Sequence, residues 1–320
     1  MADEGRMVRD FGIERQLATA TIAPYEVQQT PTGKAGVHDN ATAVASGSYY
    51  DLTTVGQATL VKATGFVALK GGRAYWDHSA NNVSYKKAND RDYYLGRFAE
   101  DSSNTSLSCV VDLNADPPYD LDIARDTFDT VLTGTQSLTT GGFNLLRRGG
   151  SHNINISATN EAQKADMLSR AGFATGANAI IRIVFNVVSD GAGTVVDVSL
   201  GVANATHATD ADSITDSIFV HLNANDVNIY LESDDGTTEV AATDSTIDYT
   251  AGTSVEVWID MRNPADVQIY INGVLALDGT TFNVNASVAT WKLLAHIEKT
   301  ASTDTYELDV ESMQAWFAEN

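Results

Sequence analysis

The chain has 320 residues and a formal net charge of −22. That length is sufficient for two domains with separate cores, and the acidity argues against nucleic acid as a partner. No stretch approaches the roughly 18 uninterrupted apolar residues of a membrane span. Charged residues among positions 3–10 stand where a secretion signal would have its apolar segment. We therefore expect no nucleic-acid partner and no membrane partner.

The charge is unevenly distributed along the chain. Residues 1–115 contain 11 Lys and Arg against 13 Asp and Glu, whereas residues 116–320 contain 9 against 29. The two parts are therefore electrostatically different, and the acidic second part is expected to have a strongly solvated surface.

Residues 1–35 are predicted to form an N-terminal arm. Their apolar residues are scattered among charges, and such a segment cannot close a core of its own. It either frays or lies against a partner. The apolar residues in question are Met7, Val8, Phe11, Ile13 and Leu17.

Residues 36–115 show short strand patterns with turn residues about every ten positions. This spacing is typical of a small barrel or sandwich. The single Cys109 points to the same side as three aliphatic residues in the segment 107–113, which predicts a small buried hydrophobe.

This segment also carries a family resemblance, over about residues 30–115. The residues that carry it are Ala43 to Gly47, Thr64-Gly65-Phe66 with Leu69, the run from Gly71 to Asp77 with Tyr75-Trp76, the run from Tyr94 to Ala99, and Val111 to Asn114. They resemble the small β domain of tailed-phage and prophage capsid decoration (cement) proteins.

The resemblance implies a structural virion protein on the outer surface of an assembled capsid, not an enzyme. It implies the major capsid protein lattice as partner and a homotrimer as oligomeric state, with stabilisation of the lattice by mass action. The residues expected to contact the capsid or another subunit are Met7, Val8, Phe11, Ile13, Leu17, Tyr75 and Trp76.

A linker is predicted at residues 116–124, because Pro117 and Pro118 force extended geometry and cannot occupy a central strand. Residues 125–320 then show about a dozen strand patterns. In one of them Val196, Val198 and Leu200 alternate with polar residues. Two antiparallel sheets packed face to face are expected. The segment Glu161 to Leu168 is the one predicted helical turn.

The strongest local signal lies between Ser254 and Leu277. Two alternating segments are interrupted by Asn263-Pro264, and the second ends at Asn272-Gly273. That dipeptide predicts a tight hairpin turn, because a type I′ turn needs positive φ at both central residues.

The second part resembles the concanavalin-type lectin and glucanase sandwich. The residues that carry the resemblance are Trp258-Ile259-Asp260, Val267 to Gly273 and Leu308 to Trp316. The predicted fold is therefore all-β: a small N-terminal β-barrel or tulip-like domain, followed by a larger two-sheet antiparallel jelly-roll (concanavalin-like) sandwich.

Fold alone does not assign a function to the sandwich. An alternative to capsid decoration is a glycan-binding module displayed on the virion, with Trp258 and Trp316 as glycan contacts. In the competing interpretation, tryptophans on strands, such as Trp76 and Trp258, fill cores.

The run Glu307-Leu308-Asp309-Val310-Glu311 matches the acidic pattern with which some sandwich-fold glucanases present nucleophile and acid/base. Only nine residues follow it, whereas the glucanase motif lies on a mid-chain strand. We predict an acidic outer strand face and no enzymatic activity.

No cofactor is expected, but calcium in the loops is left open. Oxygen ligands of the kind calcium prefers are present at Asp210, Asp212, Asp234 and Asp235, and between Asn223 and Asp226. The alternative is that these side chains cap solvated turns. The six histidines are dispersed along the sequence and give no zinc motif.

Overall fold

The computed structural model describes residues 12–123, 128–148, 151–191 and 193–318. The chain divides between Pro118 and Tyr119 into two compact units, called here the N-terminal unit and the sandwich unit. Within the described ranges, helical structure of the length and apolarity needed to cross a membrane does not occur.

Among its described residues, the N-terminal unit contains nine short strands. They are β1 Ile13–Leu17, β2 Val27–Gln29, β3 Ala35–Val37, β4 Tyr49–Thr53, β5 Gly56–Val61, β6 Arg73–Asp77, β7 Asn82–Ser84, β8 Tyr93–Phe98 and β9 Ser108–Leu113.

Five of these strands form a small barrel. Their order is β5-β9-β8-β6-β7, and a parallel bridge between Lys62 and Val83 connects the two edges of the sheet. The amide of Ala63 donates to the carbonyl of Val83 at 3.0 Å. Cys109 is buried in the core of the barrel, as predicted. The barrel prediction is therefore confirmed.

The other four strands form a sheet of order β1-β4-β3-β2. Strand β1 pairs with β4 from Ile13 opposite Thr53 to Leu17 opposite Tyr49. A small core that includes Ile22 and Leu52 lies beneath it. The predicted arm is thus wrong for residues 12–35, because cross-strand pairing supplies the partners that the segment lacks by itself. Met7, Val8 and Phe11 lie outside the described residues.

Asn114 connects the two sheets of this unit. Its side-chain oxygen accepts from the amide of Ala35 at 2.9 Å, and its nitrogen donates to the carbonyls of Ala35 and Thr54 at 2.8 and 2.7 Å. Three hydrogen bonds from one side chain therefore fix the four-stranded sheet to the end of β9.

In the part of it that the structure describes, the sandwich unit contains sixteen strands and a 3₁₀ turn at Ala211–Ser213. The strands are β10 Leu121–Asp122, β11 Phe128–Thr133, β12 Asn144–Arg148, β13 Ser151–Ile156, β14 Glu161–Ser169, β15 Phe173–Ala174, β16 Ala179–Ser189, β17 Val196–Ala203, β18 Ser217–Asn223, β19 Asn228–Asp234, β20 Glu239–Asp248, β21 Val255–Asp260, β22 Gln268–Ile271, β23 Val274–Leu275, β24 Thr290–Ser302 and β25 Tyr306–Phe317.

These strands form two antiparallel sheets around one large core. Sheet I has the order β12-β13-β25-β16-β21-β22-β23, with β10 also paired to β25. Sheet II has the order β11-β14-β24-β17-β18-β19-β20, with β15 also paired to β24. The alternating residues Val196, Val198 and Leu200 of β17 all enter the core. The predicted all-β, two-sheet architecture is confirmed.

The turn between β22 and β23 follows the sequence closely. Asn272 and Gly273 have φ values of 50° and 79°, and they join β22 to β23 with Ile271 opposite Val274. The predicted hairpin is therefore present.

Two local predictions are wrong. Residues Glu161 to Leu168 form β14, not a helical turn, because Ala165 and Met167 enter the core between the sheets. Leu121, expected in the linker, pairs with Ala315 as part of sheet I.

Candidate functional site

The outer face of sheet II carries a row of polar side chains. Strand register aligns Asp166 of β14 with His296 of β24, then Ser199 of β17, His221 of β18 and Tyr230 of β19. Outward positions of a sheet are normally solvated, yet Asp166, Ser199, His221 and His296 are all buried. These side chains are buried because another part of the chain covers this face of the sheet. Buried polar and charged groups are costly unless they are hydrogen-bonded or paired with opposite charge.

The cover is the loop of residues 204–216, called here the covering loop. Ala211 and Ile214 pack on Phe219 and Leu294 of the outer face. Lys164 Nζ donates to the carbonyl of His207 in the loop at 2.6 Å. The polar row therefore lies beneath a loop that is fixed to the sheet by apolar contacts and by hydrogen bonds.

His221 is the centre of a carboxylate cluster. Its Nδ1 lies 3.3 Å from Asp212 Oδ1, 3.6 Å from Asp197 Oδ1 and 3.9 Å from Glu232 Oε1. Its Nε2 lies 3.2 Å from the side-chain oxygen of Asn223. Because an amide oxygen only accepts, Nε2 carries a proton, and Nδ1 is the nitrogen that faces the three carboxylates.

Several atoms of this cluster are buried without a hydrogen-bond partner. They include Nδ1 of His221, Oδ1 of Asp197, Oε1 of Glu232 and Oγ of Ser199. The side chain of His221 is only 5% exposed. Buried polar atoms are normally hydrogen-bonded, and a group of unpaired atoms in one place indicates a site for an ion or water.

The protonation equilibria reflect the crowding of negative charge. Burial raises the pKa of Asp197 to about 6, with His221 acting in the opposite direction. Burial and the charge of Asp212 raise the pKa of Glu232 to about 8. Burial alone would lower the pKa of His221, but Asp212, Asp197 and Glu232 outweigh it and raise this pKa to about 9. In the absence of another cation, protons therefore balance the charge of the cluster.

The atoms also fit a divalent cation. One ligand atom from each of Asp197, Asp212 and His221 lies within 4.8 Å of the other two. An imidazole combined with carboxylates suits Mn²⁺ or Zn²⁺, whereas Ca²⁺ prefers ligand sets made of oxygen alone. The side chains of Asp197 and Asp212 are 30% and 41% exposed. Solvent therefore reaches one side of the site.

The second buried histidine of the row has a different role. His296 Nδ1 lies 2.6 Å from Asp166 Oδ1, and Asp166 Oδ2 lies 2.9 Å from Lys164 Nζ. Neither His296 Nε2 nor Ser199 Oγ has a hydrogen-bond partner, so the two are not bonded to each other. Asp166, His296 and Ser199 thus do not form a nucleophile–base–carboxylate chain.

Of the loop aspartates considered for calcium, Asp212 alone enters the cluster among the described residues. Asp210 accepts from the amide of Asp212 at 2.9 Å, and Asp234 accepts from that of Gly236 at 2.7 Å. Asp235 accepts from three amides, those of Thr237, Thr238 and Ala286. These aspartates cap turns, which was the alternative interpretation.

Trp258 and Trp316, the predicted glycan contacts, are 5% and 2% exposed. Their rings meet edge to face with centroids 5.2 Å apart, and Trp258 Nε1 donates to Glu256 Oε1 at 2.6 Å. Glu256 in turn accepts from Arg182, also buried. The interpretation of Trp258 as a packing residue fits this arrangement, and glycan stacking by these two rings stays an untested prediction.

The carboxylates of the acidic run on β25 accept hydrogen bonds from Asn153 and Ser254. Asn153 Nδ2 donates to Glu307 Oε1 at 2.9 Å and to Asp309 Oδ1 at 2.7 Å. Ser254 Oγ donates to Glu311 Oε1 at 2.6 Å. These three carboxylates lie on sheet I and belong to a different sheet from the His221 cluster.

The residues predicted to contact a capsid or another subunit have mixed exposure. Leu17 is 52% exposed, and Ile13 and Tyr75 are half-buried. Trp76 is buried in the barrel core. Their role as contacts stays a prediction.

Sequence reasoning missed His221 and Glu232. It treated the histidines as dispersed, because the residues of the cluster are far apart in the sequence. A usable signal was present: Asp197, His221 and Glu232 all occupy outward positions on three consecutive strands whose inward positions are apolar.

No protein-family model matches this chain, and no curated protein sequence matches it. Among solved structures it is similar to the Emp47p carbohydrate recognition domain, with 11% identity, 61% of this chain and 91% of that chain covered, and a TM-score of 0.44.

Two further similarities are to LamAcat from Zobellia galactanivorans and to a protein of unknown function from Shewanella oneidensis MR-1. The first has 10% identity, 54% and 80% coverage and a TM-score of 0.39. The second has 15% identity, 59% and 77% coverage and a TM-score of 0.38. Similarities this distant say nothing of what this chain binds, and none of the comparisons supports the capsid-decoration resemblance.

Proposed function

We propose that the chain is a non-catalytic glycan-binding protein whose sandwich unit binds saccharide hydroxyls through a divalent cation. The cation is held by His221, Asp197 and Asp212, with Glu232 beside it. The observation that carries this proposal is the buried Nδ1 of His221, which has no hydrogen-bond partner and faces three carboxylates.

The chemistry of the cluster favours Mn²⁺ or Zn²⁺ over Ca²⁺. When bound, the ion replaces the protons that otherwise balance the carboxylates. Because Asp197 and Asp212 are partly exposed, coordination positions on the solvent side stay open. Neighbouring hydroxyls of a sugar are neutral oxygen ligands of the right size for such positions.

The cluster contains no assembled catalytic set. A glycosidase needs two carboxyl groups on opposite sides of the scissile bond, whereas here the carboxylates converge on one imidazole. Binding without turnover is therefore the function that the arrangement supports best.

The test begins with the cation. Mn²⁺ is titrated into the protein after metal has been removed with EDTA and the EDTA has been dialysed away. One ion is expected to bind per chain. Binding is measured by calorimetry and by the loss of the electron paramagnetic resonance signal of free Mn²⁺. Asp212→Asn removes one ligand charge at a solvent-facing position and is expected to weaken binding at least about tenfold. Asp248→Asn, an exposed position on β20 of the same sheet, is the control.

The glycan part is tested on an array of immobilised oligosaccharides with Mn²⁺ and with EDTA. Binding that depends on Mn²⁺ and is lost in Asp212→Asn supports the proposal. Failure of Mn²⁺ and of Zn²⁺ to bind overturns it, and so does glycan binding that EDTA leaves unchanged.

A second candidate function is attachment to a protein lattice, as the decoration-protein resemblance implies. The observation that favours it is an apolar pair on the edge of the four-stranded sheet: Leu17 and Tyr49 are opposite each other and are 52% and 70% exposed. If this pair docks on a capsid, Leu17→Asp abolishes co-sedimentation with undecorated capsids. Retention of binding by that variant would remove the pair from the docking surface.

A further inference from the structure

A cleft of about 900 Å³ opens in the N-terminal unit, between β2 and the barrel. One wall runs from Tyr25 to Gln29, and the facing wall is formed by Trp76, Arg91 and Tyr93. This volume lies within the range of small-molecule sites. None of the residues of the His221 cluster contributes to it, because that cluster belongs to the sandwich unit.

The β2 wall is held in one orientation by a chain of hydrogen bonds. Tyr50 donates its hydroxyl to Gln28 Oε1. Gln28 Nε2 donates to Glu26 Oε1 at 2.6 Å, and the amide of Ala23 donates to Glu26 Oε2 at 2.6 Å. A carboxylate and an amide are therefore fixed at the cleft before any ligand arrives, which lowers the entropy lost on binding.

The facing wall is also anchored. Arg91 Nη2 lies 2.8 Å from His78 Nε2. Because a guanidinium only donates, this ring nitrogen is the acceptor of the contact. The amide of His78 donates to Asp92 Oδ1 at 3.1 Å. Asp92 is itself buried and also accepts from the amides of Ala88 and Asn89.

Aromatic surface lines the cleft at three points. Tyr25 is 59% exposed, while Trp76 and Tyr93 form its buried side. The hydroxyl of Tyr93 is buried and has no hydrogen-bond partner. Burial, with the nearby charge of Glu26, raises the pKa of this phenol, so it is a neutral donor. An unpaired donor at this position lacks a partner that a ligand oxygen would supply.

Two residues that line the cleft have a left-handed backbone conformation. Tyr25 and Asn81, both lining residues, have φ values of 58° and 52°. A left-handed conformation is ordinary for Asn but costly for Tyr. Strained residues of this kind concentrate at ligand-binding positions, where the surrounding structure enforces them.

Charge discriminates among ligand classes. The cleft has one carboxylate, on Glu26, and one guanidinium, on Arg91, and its remaining polar groups are amides, two phenols, an indole and an imidazole. A phosphate would meet the carboxylate, and a quaternary ammonium would meet the guanidinium. The lining matches a neutral ligand that has both hydroxyl groups and an apolar ring face.

We propose that this cleft is a binding site for a neutral oligosaccharide, with the ring face on Tyr25 and hydroxyls on Tyr93, Gln28 and Arg91. The site requires no metal. It is separate from the cation-dependent site of the sandwich unit, so one chain would engage glycans at two points and gain avidity from their linkage.

The experiment uses the full chain in EDTA, which leaves the sandwich site without its cation. Cello-, laminari-, xylo- and chito-oligosaccharides are each titrated by calorimetry and by saturation-transfer NMR. Choline and inorganic phosphate serve as charged probes. At least one of the four oligosaccharide series is expected to bind, and neither charged probe is.

Two variants test the contacts. Tyr93→Phe removes only the unpaired hydroxyl, and it is expected to lower affinity about tenfold, with the melting temperature unchanged or higher. Tyr25→Ala removes an exposed ring and is expected to lower affinity at least about fivefold. Tyr75→Phe, on the barrel but outside the cleft, is the matched control and should bind as the wild type does.

Three results would overturn the proposal. One is the absence of binding by all four series, another is binding that both variants leave intact, and the third is preferential binding of choline or phosphate. Loss of the sandwich site in Asp212→Asn leaves this measurement unaffected, so failure of one site is distinguishable from failure of the other.

Discussion

Two buried cations of the sandwich unit, His221 and Lys299, are held by different groups. His221 faces carboxylates, which exchange protons with solvent as the pH changes. Lys299 Nζ donates to backbone carbonyls only: to Ser157 and, at 2.9–3.1 Å, to Thr159, Ser302 and Asp304. The first arrangement can be tuned by pH or by a metal, whereas the second is a permanent clamp between two chain segments.

Replacement of Lys299 by Met should destabilise the sandwich unit by about 3 kcal/mol, because four carbonyl oxygens lose one shared donor. Equilibrium unfolding in urea measures the change. Lys292→Met, a half-buried position on the same strand, is the control and should cost less than about 0.5 kcal/mol. Equal effects of the two substitutions would show that the carbonyl ring does not depend on the ammonium.

The cluster makes stability depend on pH in a defined direction. His221 has a folded pKa of about 9 against an ordinary 6.5, so its stabilisation is complete below pH 6.5 and is lost as the pH rises through about 9. The pKa values of Glu232 and Asp197 are also raised. Their contributions to folding stability are therefore also lost as the pH rises, over a lower pH range. The metal-free protein should therefore lose roughly 3 kcal/mol from His221 alone across this window, at about 1.4 kcal/mol per pKa unit.

Urea unfolding in EDTA at a series of pH values measures this loss. His221→Asn should flatten the decline between pH 6.5 and about 9 without abolishing it, since His296 also has a raised pKa of about 9. Mn²⁺ should reverse the trend, because deprotonated ligands bind metal more tightly. Stability that rises with pH in EDTA would contradict the assignment.

At the scale of single residues, the sequence predicts which positions of a strand face the core and which face outward. It does not predict which outward residues of different strands lie next to each other. Ser199 and Asp197 are correctly expected on the outward face of β17. Their proximity to His221 and Glu232 depends on the register of three neighbouring strands, and register is a property of the assembled sheet. The sequence alone therefore leaves the histidines apparently dispersed.

At the scale of elements, the covering loop decides whether the polar row is a site at all. Its apolar contacts, Ala211 and Ile214 on Phe219 and Leu294, hold Asp212 over His221. The loop reads in the sequence as a solvated polar stretch, because only a few apolar residues are spread through it. Its base is closed by Asn204 and Asp216, with the amide of Asn204 donating to the carbonyl of Asp216 at 3.0 Å.

Ile214→Asp should detach the covering loop without unfolding the sheets, because Ile214 contributes to a small cluster separate from the main core. Mn²⁺ affinity is expected to fall at least about tenfold, as one ligand loses its position. Limited proteolysis should show new cleavage within residues 204–216. Unchanged Mn²⁺ affinity in a chain that is cleaved there would exclude Asp212 as a ligand.

The segment β14 shows why local propensity misleads. Its residues EAQKADML are good helix formers, yet the strand lies between β11 and β24 in sheet II. Ala165 and Met167 fill the core while Lys164 and Asp166 face outward. Tertiary burial of one face outweighs helix propensities of well under 1 kcal/mol per residue. The hairpin at Asn272-Gly273 was predictable because its signal depends on backbone conformation alone.

At the scale of the whole molecule, the chain contains two units, each with its own core. Composition anticipates this division through the charge difference and the paired prolines. The sequence does not predict β1 and β2, which lie in the expected arm, because these strands are short and only weakly patterned. Pairing across the sheet supplies the order that such strands lack individually.

Because the two units have separate cores, we expect the 320-residue chain to unfold in two calorimetric transitions. Each transition can be assigned to a unit by adding the ligand that binds to that unit. Mn²⁺ at about 100 times its dissociation constant stabilises the sandwich unit by about 2.7 kcal/mol, which raises the melting temperature of a unit of this size by roughly 5–10 °C. In EDTA, where the sandwich site lacks its cation, the bound oligosaccharide should shift only the other transition, because its cleft lies in the N-terminal unit. A single transition that both ligands shift together would show that the two units unfold as one, whereas a Mn²⁺ shift of undiminished size in Asp212→Asn would locate the ion outside the His221 cluster.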